Sequence, residues 1–137
     1  MIVLLDSSVW VSYFHNSDVH HSRAQQIVSD FILEESVCII PEIVYAEVIN
    51  TLTFLQKDGI LVERFKIFLI VHSQFVQIKF GTNEFWMKAV EDVAKQVRLK
   101  TMDLIILTYA LFFRVNKFHS FDKQLEKESL RFKIFLN

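Results

Sequence analysis

The chain opens on an unbroken apolar run, Met1-Ile2-Val3-Leu4-Leu5, that stops abruptly at Asp6-Ser7-Ser8. A run with no polar alternation suits a strand buried on both faces, and such strands belong to parallel sheets covered by helices. The acid that ends it falls at the carboxyl end of a strand, the edge on which open parallel sheets bind their ligands. The first ten residues therefore predict both a fold class and the edge that carries a site.

The rest of the chain keeps this alternation of strand and helix. Ser8 to Phe14 predicts a short helix, and Ala24, Ile27, Val28, Phe31 and Ile32 recur at helical spacing between Ser22 and Glu35. Val37 to Ile40 predicts a second strand, and Pro41 suits the first turn of a helix running to about Gln56. Lys57-Asp58-Gly59 marks a turn before a helix carrying Ile60, Leu61, Phe65, Phe68, Leu69 and His72. Phe75 to Phe80 predicts a third strand, after which Gly81-Thr82-Asn83-Glu84 opens a helix to about Val97, capped by Thr82 or Asn83. Thr101 is expected to cap an apolar helix from Met102 to about Arg114. A short strand near Lys117 to Ser120, a helix from Lys123 to Glu128 and an edge strand near Lys133 to Leu136 complete the reading. The expected architecture is α/β, a three-layer α/β/α Rossmann-like fold with a central, mostly parallel sheet.

With two Gly, one Pro and no repeat or low-complexity linker, residues 1–137 are expected to form a single domain. A hydrophobic fraction of 52% with fourteen Phe supplies its core. The formal net charge of -1 gives no global attraction to a polyanion, so nucleic acid would be met by a local basic surface or through metal ions. The lone Cys38, inside Val37-Cys38-Ile39-Ile40, is expected to be a buried thiol. The apolar start has no basic leader, and Leu104 to Phe113 is far short of a membrane span, so a soluble, cytoplasmic chain with no membrane contact is expected.

Four acids occupy related places. Asp6 and Asp122 each follow a strand, Asp103 lies in the first turn of a helix, and Glu47 lies inside the helix after the second strand. In a parallel sheet all four can converge on one edge. Each also has a structural explanation: Asp6 and Asp122 as helix N-caps, Asp103 as an acid favoured by its helix dipole. Glu47 could be an exposed residue on the arc shared with Ile43, Asn50, Thr51 and Phe54.

Convergence would carry an energetic signature. Two carboxylates ~5 Å apart repel by roughly 3 kcal/mol at an effective dielectric near 20, so a cluster needs compensation, which a divalent cation supplies. A donor set made only of oxygens suits Mg²⁺ or Mn²⁺ rather than Zn²⁺. Such an ion can bridge a phosphate and lower the pKa of a water, which is the chemistry of phosphodiester hydrolysis.

The segments that carry these acids are Asp6-Ser7-Ser8 after an apolar strand, Ile40-Pro41-Glu42-Ile43-Val44-Tyr45-Ala46-Glu47, Leu99-Lys100-Thr101-Met102-Asp103-Leu104-Ile105-Ile106 and Ser120-Phe121-Asp122-Lys123-Gln124-Leu125. In this order and spacing, over nearly the whole chain, they resemble the PIN domain, and within it the VapC-type ribonuclease toxins of type II toxin–antitoxin systems. The resemblance implies that Asp6, Glu47, Asp103 and Asp122 are catalytic and hold one or two Mg²⁺ or Mn²⁺ ions, with Ser8 and Ser120 supporting them. It implies a metal-dependent endoribonuclease that leaves 5′ phosphate and 3′ hydroxyl ends, with RNA as substrate, a cognate antitoxin as partner and a homodimer as assembly. Two departures stand out: Ser120 replaces the more usual Thr, and Gln124 stands where some relatives carry another acid.

Two other classes remain open. One is a catalytically weak PIN-fold interaction module that binds a protein partner. The other is an aspartyl phosphotransferase with Asp6 as nucleophile, although Ser8 stands where such enzymes carry a second acid. His20 and His21 are adjacent and would point about 100° apart on a helix, which does not suit a shared metal. His119 is expected to be packed or solvent-facing, and Glu42 to favour its helix N-terminus. Lys95, Arg98 and Lys100 read equally as phosphate contacts and as a solvated face. Most aromatics belong to the core, with Tyr13 and Phe14 the candidates for partner contact.

Overall fold

A computed structural model describes residues 1–132. The apolar runs do form strands: β1 (Ile2–Leu5), β2 (Val37–Pro41), β3 (Val76–Lys79) and β4 (Lys117–His119). All pairings are parallel, in the order β3-β2-β1-β4, with Leu4 beside Ile39 on one side and Phe118 on the other. Central β1 has Val3, Leu4 and Leu5 at most 1% exposed, as a strand covered on both faces requires.

Between β1 and β2 run α1 (Ser7–Phe14) and α2 (His21–Leu33), and between β2 and β3 run α3 (Glu42–Leu55) and α4 (Ile60–Val71). The return from β3 to β4 carries a π-helical segment, Phe85–Ala89, then α5 (Val90–Ala94) and α6 (Thr101–Phe112). The helix α7 (Lys123–Arg131) follows β4. From β1 to β3 the chain moves one way across the sheet, then crosses back to the far side of β1. Right-handed crossovers therefore put α1–α4 on one face and α5–α6 on the other, giving the three-layer α/β/α sandwich. The strand order reverses between β1 and β4, so the ligand-binding crevice of such a sheet opens beyond Leu5 and His119.

On the α1–α4 face, Trp10 packs against Phe31, Phe65 and Phe68 with ring centroids 5.6–6.4 Å apart. Phe14 joins this cluster and is only 8% exposed, so it is a core residue and not the partner contact expected of it. The helix that ends at Leu55 needs a reversal into α4, and Gly59 supplies it at φ +81°, a left-handed conformation that favours glycine.

Several boundaries differ from expectation for local reasons. Helix α6 begins at Thr101 itself, preceded by Lys100, so Thr101 is not its cap and no side chain caps it. Thr82 does cap, its Oγ1 accepting from Phe85 N at 3.2 Å. The helix it opens widens into the π segment and ends at Ala94, leaving Val97 in irregular chain. The edge strand expected near Lys133 to Leu136 lies outside the described residues. Among the described residues no helix is long and apolar enough to cross a membrane.

Candidate functional site

Asp6 leaves the end of β1 with its backbone N–H donating to the His119 carbonyl at 2.9 Å, which ties the tips of β1 and β4 together. It is 5% exposed, and its carboxylate is held on both sides. Oδ1 accepts from Ser7 N at 2.7 Å, the helix-capping bond. Oδ2 accepts from Ser8 Oγ at 3.0 Å and from Ser120 Oγ at 2.8 Å. Both serines are themselves fixed: Ser8 Oγ accepts from Phe121 N at 3.1 Å and Ser120 Oγ from Asp122 N at 3.0 Å. A loop after β4 and a helix after β1 are thereby locked around one carboxylate, and the orientation of Asp6 is set by groups up to 114 residues away in sequence.

Asp122 is exposed and caps α7, its Oδ1 accepting from Gln124 N and Leu125 N at 3.0 Å each. The capping explanation is thus correct for Asp6 and Asp122, and it leaves Asp122 Oδ2 uncommitted. Gln124 uses its amide to bond the Arg98 carbonyl at 3.3 Å, anchoring α7 to the chain before α6.

Glu47 is half-buried on the inner side of α3 rather than displayed to solvent. Burial raises its carboxyl first, and the negative charges of Asp6 and Asp103 raise it further, to about 7, with the Ser7 hydroxyl partly offsetting them. Its Oε1 is buried and makes no hydrogen bond. Asp103 is raised likewise, by burial and then by Asp122 and Asp6, against the opposing pull of Lys100. The four acids are therefore electrostatic neighbours, drawn from α3, α6 and the tips of β1 and β4. Glu42 stays apart, its Oε1 accepting from Gly81 N and Tyr109 Oη at 3.0 Å each, which joins α3 to α6.

A hard divalent cation fits this donor set. A buried carboxylate oxygen without a partner, beside two further carboxylates, is costly unless a proton or a cation meets it. Among the described residues no three Asp, Glu, His or Cys side chains close into a ligand cage. That is compatible with Mg²⁺, which commonly takes one or two carboxylates and completes its shell with water.

The histidines divide as their spacing requires. His21 Nδ1 lies 2.7 Å from the Ser12 carbonyl, while His20 points elsewhere and stacks on Phe121. His119 is 9% exposed, and burial pushes its imidazole down to about 4, helped by Arg23 and Lys117. Lys95 pairs with Glu91 on an exposed face. Sequence reasoning did not single out Arg23, Phe121 and Glu126, which with His20, His119 and Ser120 line a cleft beside the acids. The one local signal for it was the His119/Phe121 alternation flanking Ser120.

The family model described as PIN domain matches residues 3–128. Ribonuclease VapC6 of Methanocaldococcus jannaschii is 28% identical to the chain, the alignment covering 91% of each. Among solved structures, Mycobacterium tuberculosis VapC20, a toxin that cleaves the sarcin-ricin loop, superposes with a TM-score of 0.73 at 16% identity, over 92% of this chain and 94% of that one. Rickettsia felis VapBC2, bound to a DNA fragment from its promoter, gives 0.67 at 14% identity, over 93% and 92%.

Proposed function

The chain belongs to the PIN domain family, and from that premise we propose that it is a Mg²⁺- or Mn²⁺-dependent endoribonuclease, the toxin of a toxin–antitoxin pair. The observation that carries the reading is the unpartnered, buried Glu47 Oε1 among the carboxylates of Asp6 and Asp103 at the crevice between β1 and β4. A scaffold gains nothing from such repulsion, whereas a site for a cation and a phosphate requires it. The similarity to the archaeal VapC ribonuclease supports the same chemistry.

Asp6, Glu47 and Asp103 would hold the ion, one or two of them directly and the rest through its water shell, with Asp122 completing the cluster. When bound, the ion supplies a Lewis acid for the scissile phosphate and lowers the pKa of a nucleophilic water. The protein's own part is orientation and charge. The serine pair fixes Asp6, so the carboxylate does not reorganise during reaction. Glu47, raised to about 7 in the metal-free protein, would give up its proton as the ion binds near neutral pH. Attack of a water oxygen on phosphorus, with the P–O3′ bond breaking and the water's proton ending on O3′, would leave 5′ phosphate and 3′ hydroxyl ends.

The partners belonging to this reading are RNA, a cognate antitoxin and a second copy of the chain, all in the cytoplasm. Phe54, Ile70 and Met87, each at least 73% exposed, are apolar surface that a protein partner would cover. The deciding experiment is cleavage of a mixed RNA pool with Mg²⁺, with Mn²⁺ and with EDTA. Asp6→Asn and Asp103→Asn should each lower cleavage by about a hundredfold or more, since residues that merely orient metal ligands typically cost 10- to 100-fold. Full activity in both variants, or equal cleavage in EDTA, overturns the reading.

A further inference from the structure

Beyond the tip of β4, on the α2 side of the acids, lies an open cleft of about 290 Å³. Ser120 forms the wall between the two. Its Oγ reaches Asp6, while the same residue lines the cleft, so a ligand there would lie one residue from the acidic cluster. The rings of His20 and Phe121 stack at the cleft with centroids 4.4 Å apart and planes 21° from parallel. His20 is exposed and Phe121 half-buried, which makes a supported aromatic platform at the surface. Arg23, one helical turn from His20, is exposed and has no ion-pair partner among the described residues. Glu126, which also lines the cleft, is half-buried, and its carboxylate accepts no hydrogen bond among the described residues.

A planar aromatic surface, an unpaired guanidinium and an acceptor carboxylate match three parts of one nucleotide: the face of the base, its phosphate, and the amino or imino donors on its edge. We infer that this cleft holds one unpaired nucleotide of the RNA next to the scissile phosphate, its base stacked on the outer face of the His20 ring, which Phe121 backs, and its phosphate on Arg23. Glu126 then favours bases whose edge presents donors. This rests on the ribonuclease reading of the four acids and adds the contacts that position the strand.

The test separates the two ideas. Binding of a fluorescent single-stranded oligoribonucleotide is measured by anisotropy in EDTA, and cleavage of the same oligonucleotide is measured in Mg²⁺. His20→Ala and Arg23→Ala should each weaken binding by roughly 5- to 100-fold, the range of a lost stack or charge-assisted contact, and raise KM far more than they lower kcat. His20→Phe should restore binding, because the platform and not the imidazole is required, and unchanged melting curves exclude misfolding. If both alanine variants bind and cleave like the parent, the cleft is not a subsite, although the nuclease remains. A parent that neither binds nor cleaves RNA overturns both. Loss in His20→Ala that His20→Phe fails to restore overturns the stacking role.

Discussion

Glu47 and His119 pull the pH dependence of stability in opposite directions. The Glu47 carboxyl moves from an ordinary 4.5 to about 7 in the fold, so the folded state holds the extra proton. Its contribution is full below pH 4.5 and is lost as the pH rises through 7. The His119 imidazole moves from 6.5 down to about 4, so the unfolded chain takes the proton, and its contribution is full above pH 6.5 and lost as the pH falls through 4. The two effects overlap and partly cancel. Glu47→Gln removes the falling limb, so the metal-free variant should gain stability with pH between 4.5 and 7 more steeply than the parent. Melting curves in EDTA across that range check this; parallel profiles would show that Glu47 titrates normally.

At the scale of elements, the capping by Asp122 can be separated from its proposed part in the acidic site. Asn caps a helix about as well as Asp, whereas Ala loses the cap at a cost of about 1 kcal/mol. Asp122→Asn should therefore keep the stability of α7 and lose metal-dependent cleavage, while Asp122→Ala should lose both, read by denaturant melts beside RNA assays. If Asp122→Asn cleaves as well as the parent, the residue is only a cap. The turn into the π segment is constrained differently. A Cβ at Gly81 would collide with the Trp86 indole and stand 2.9 Å from the buried Phe85 ring. Gly81→Ala should cost about 1–3 kcal/mol by overpacking, visible as a lower denaturation midpoint. It would also strain the bond from Gly81 N to Glu42 Oε1 that ties the chain after β3 to α3.

For the whole molecule, a cation held by the acidic cluster would make its binding and the stability of the fold one quantity. A ligand at 100 times its Kd adds about 2.7 kcal/mol, worth roughly 5–10 °C in Tm for a chain of this size. Saturating Mg²⁺ or Mn²⁺ should raise Tm by that order at pH 7.5, and Asp103→Asn should abolish most of the rise. An identical shift in the variant would place the cation elsewhere. The sheet, the order of its helices and the ends on which Asp6, Glu47, Asp103 and Asp122 fall were legible from the amino-acid order, because strand burial, helical spacing and caps are properties of neighbouring residues. The π segment was not, since its residues carry no spacing that sets it apart from an ordinary helix. Nor was the inward turn of Phe14, which reflects the aromatic cluster of α4. Sequence by itself determined that acids would stand at the carboxyl edge of a parallel sheet. Only the tertiary structure decided that Ser120 would clasp Asp6 across 114 residues, that Glu47 would face its neighbours with an unpaired oxygen, and that His20 would meet Phe121. Those contacts join segments far apart in the chain, and no local pattern encodes which of them the folded core will bring together.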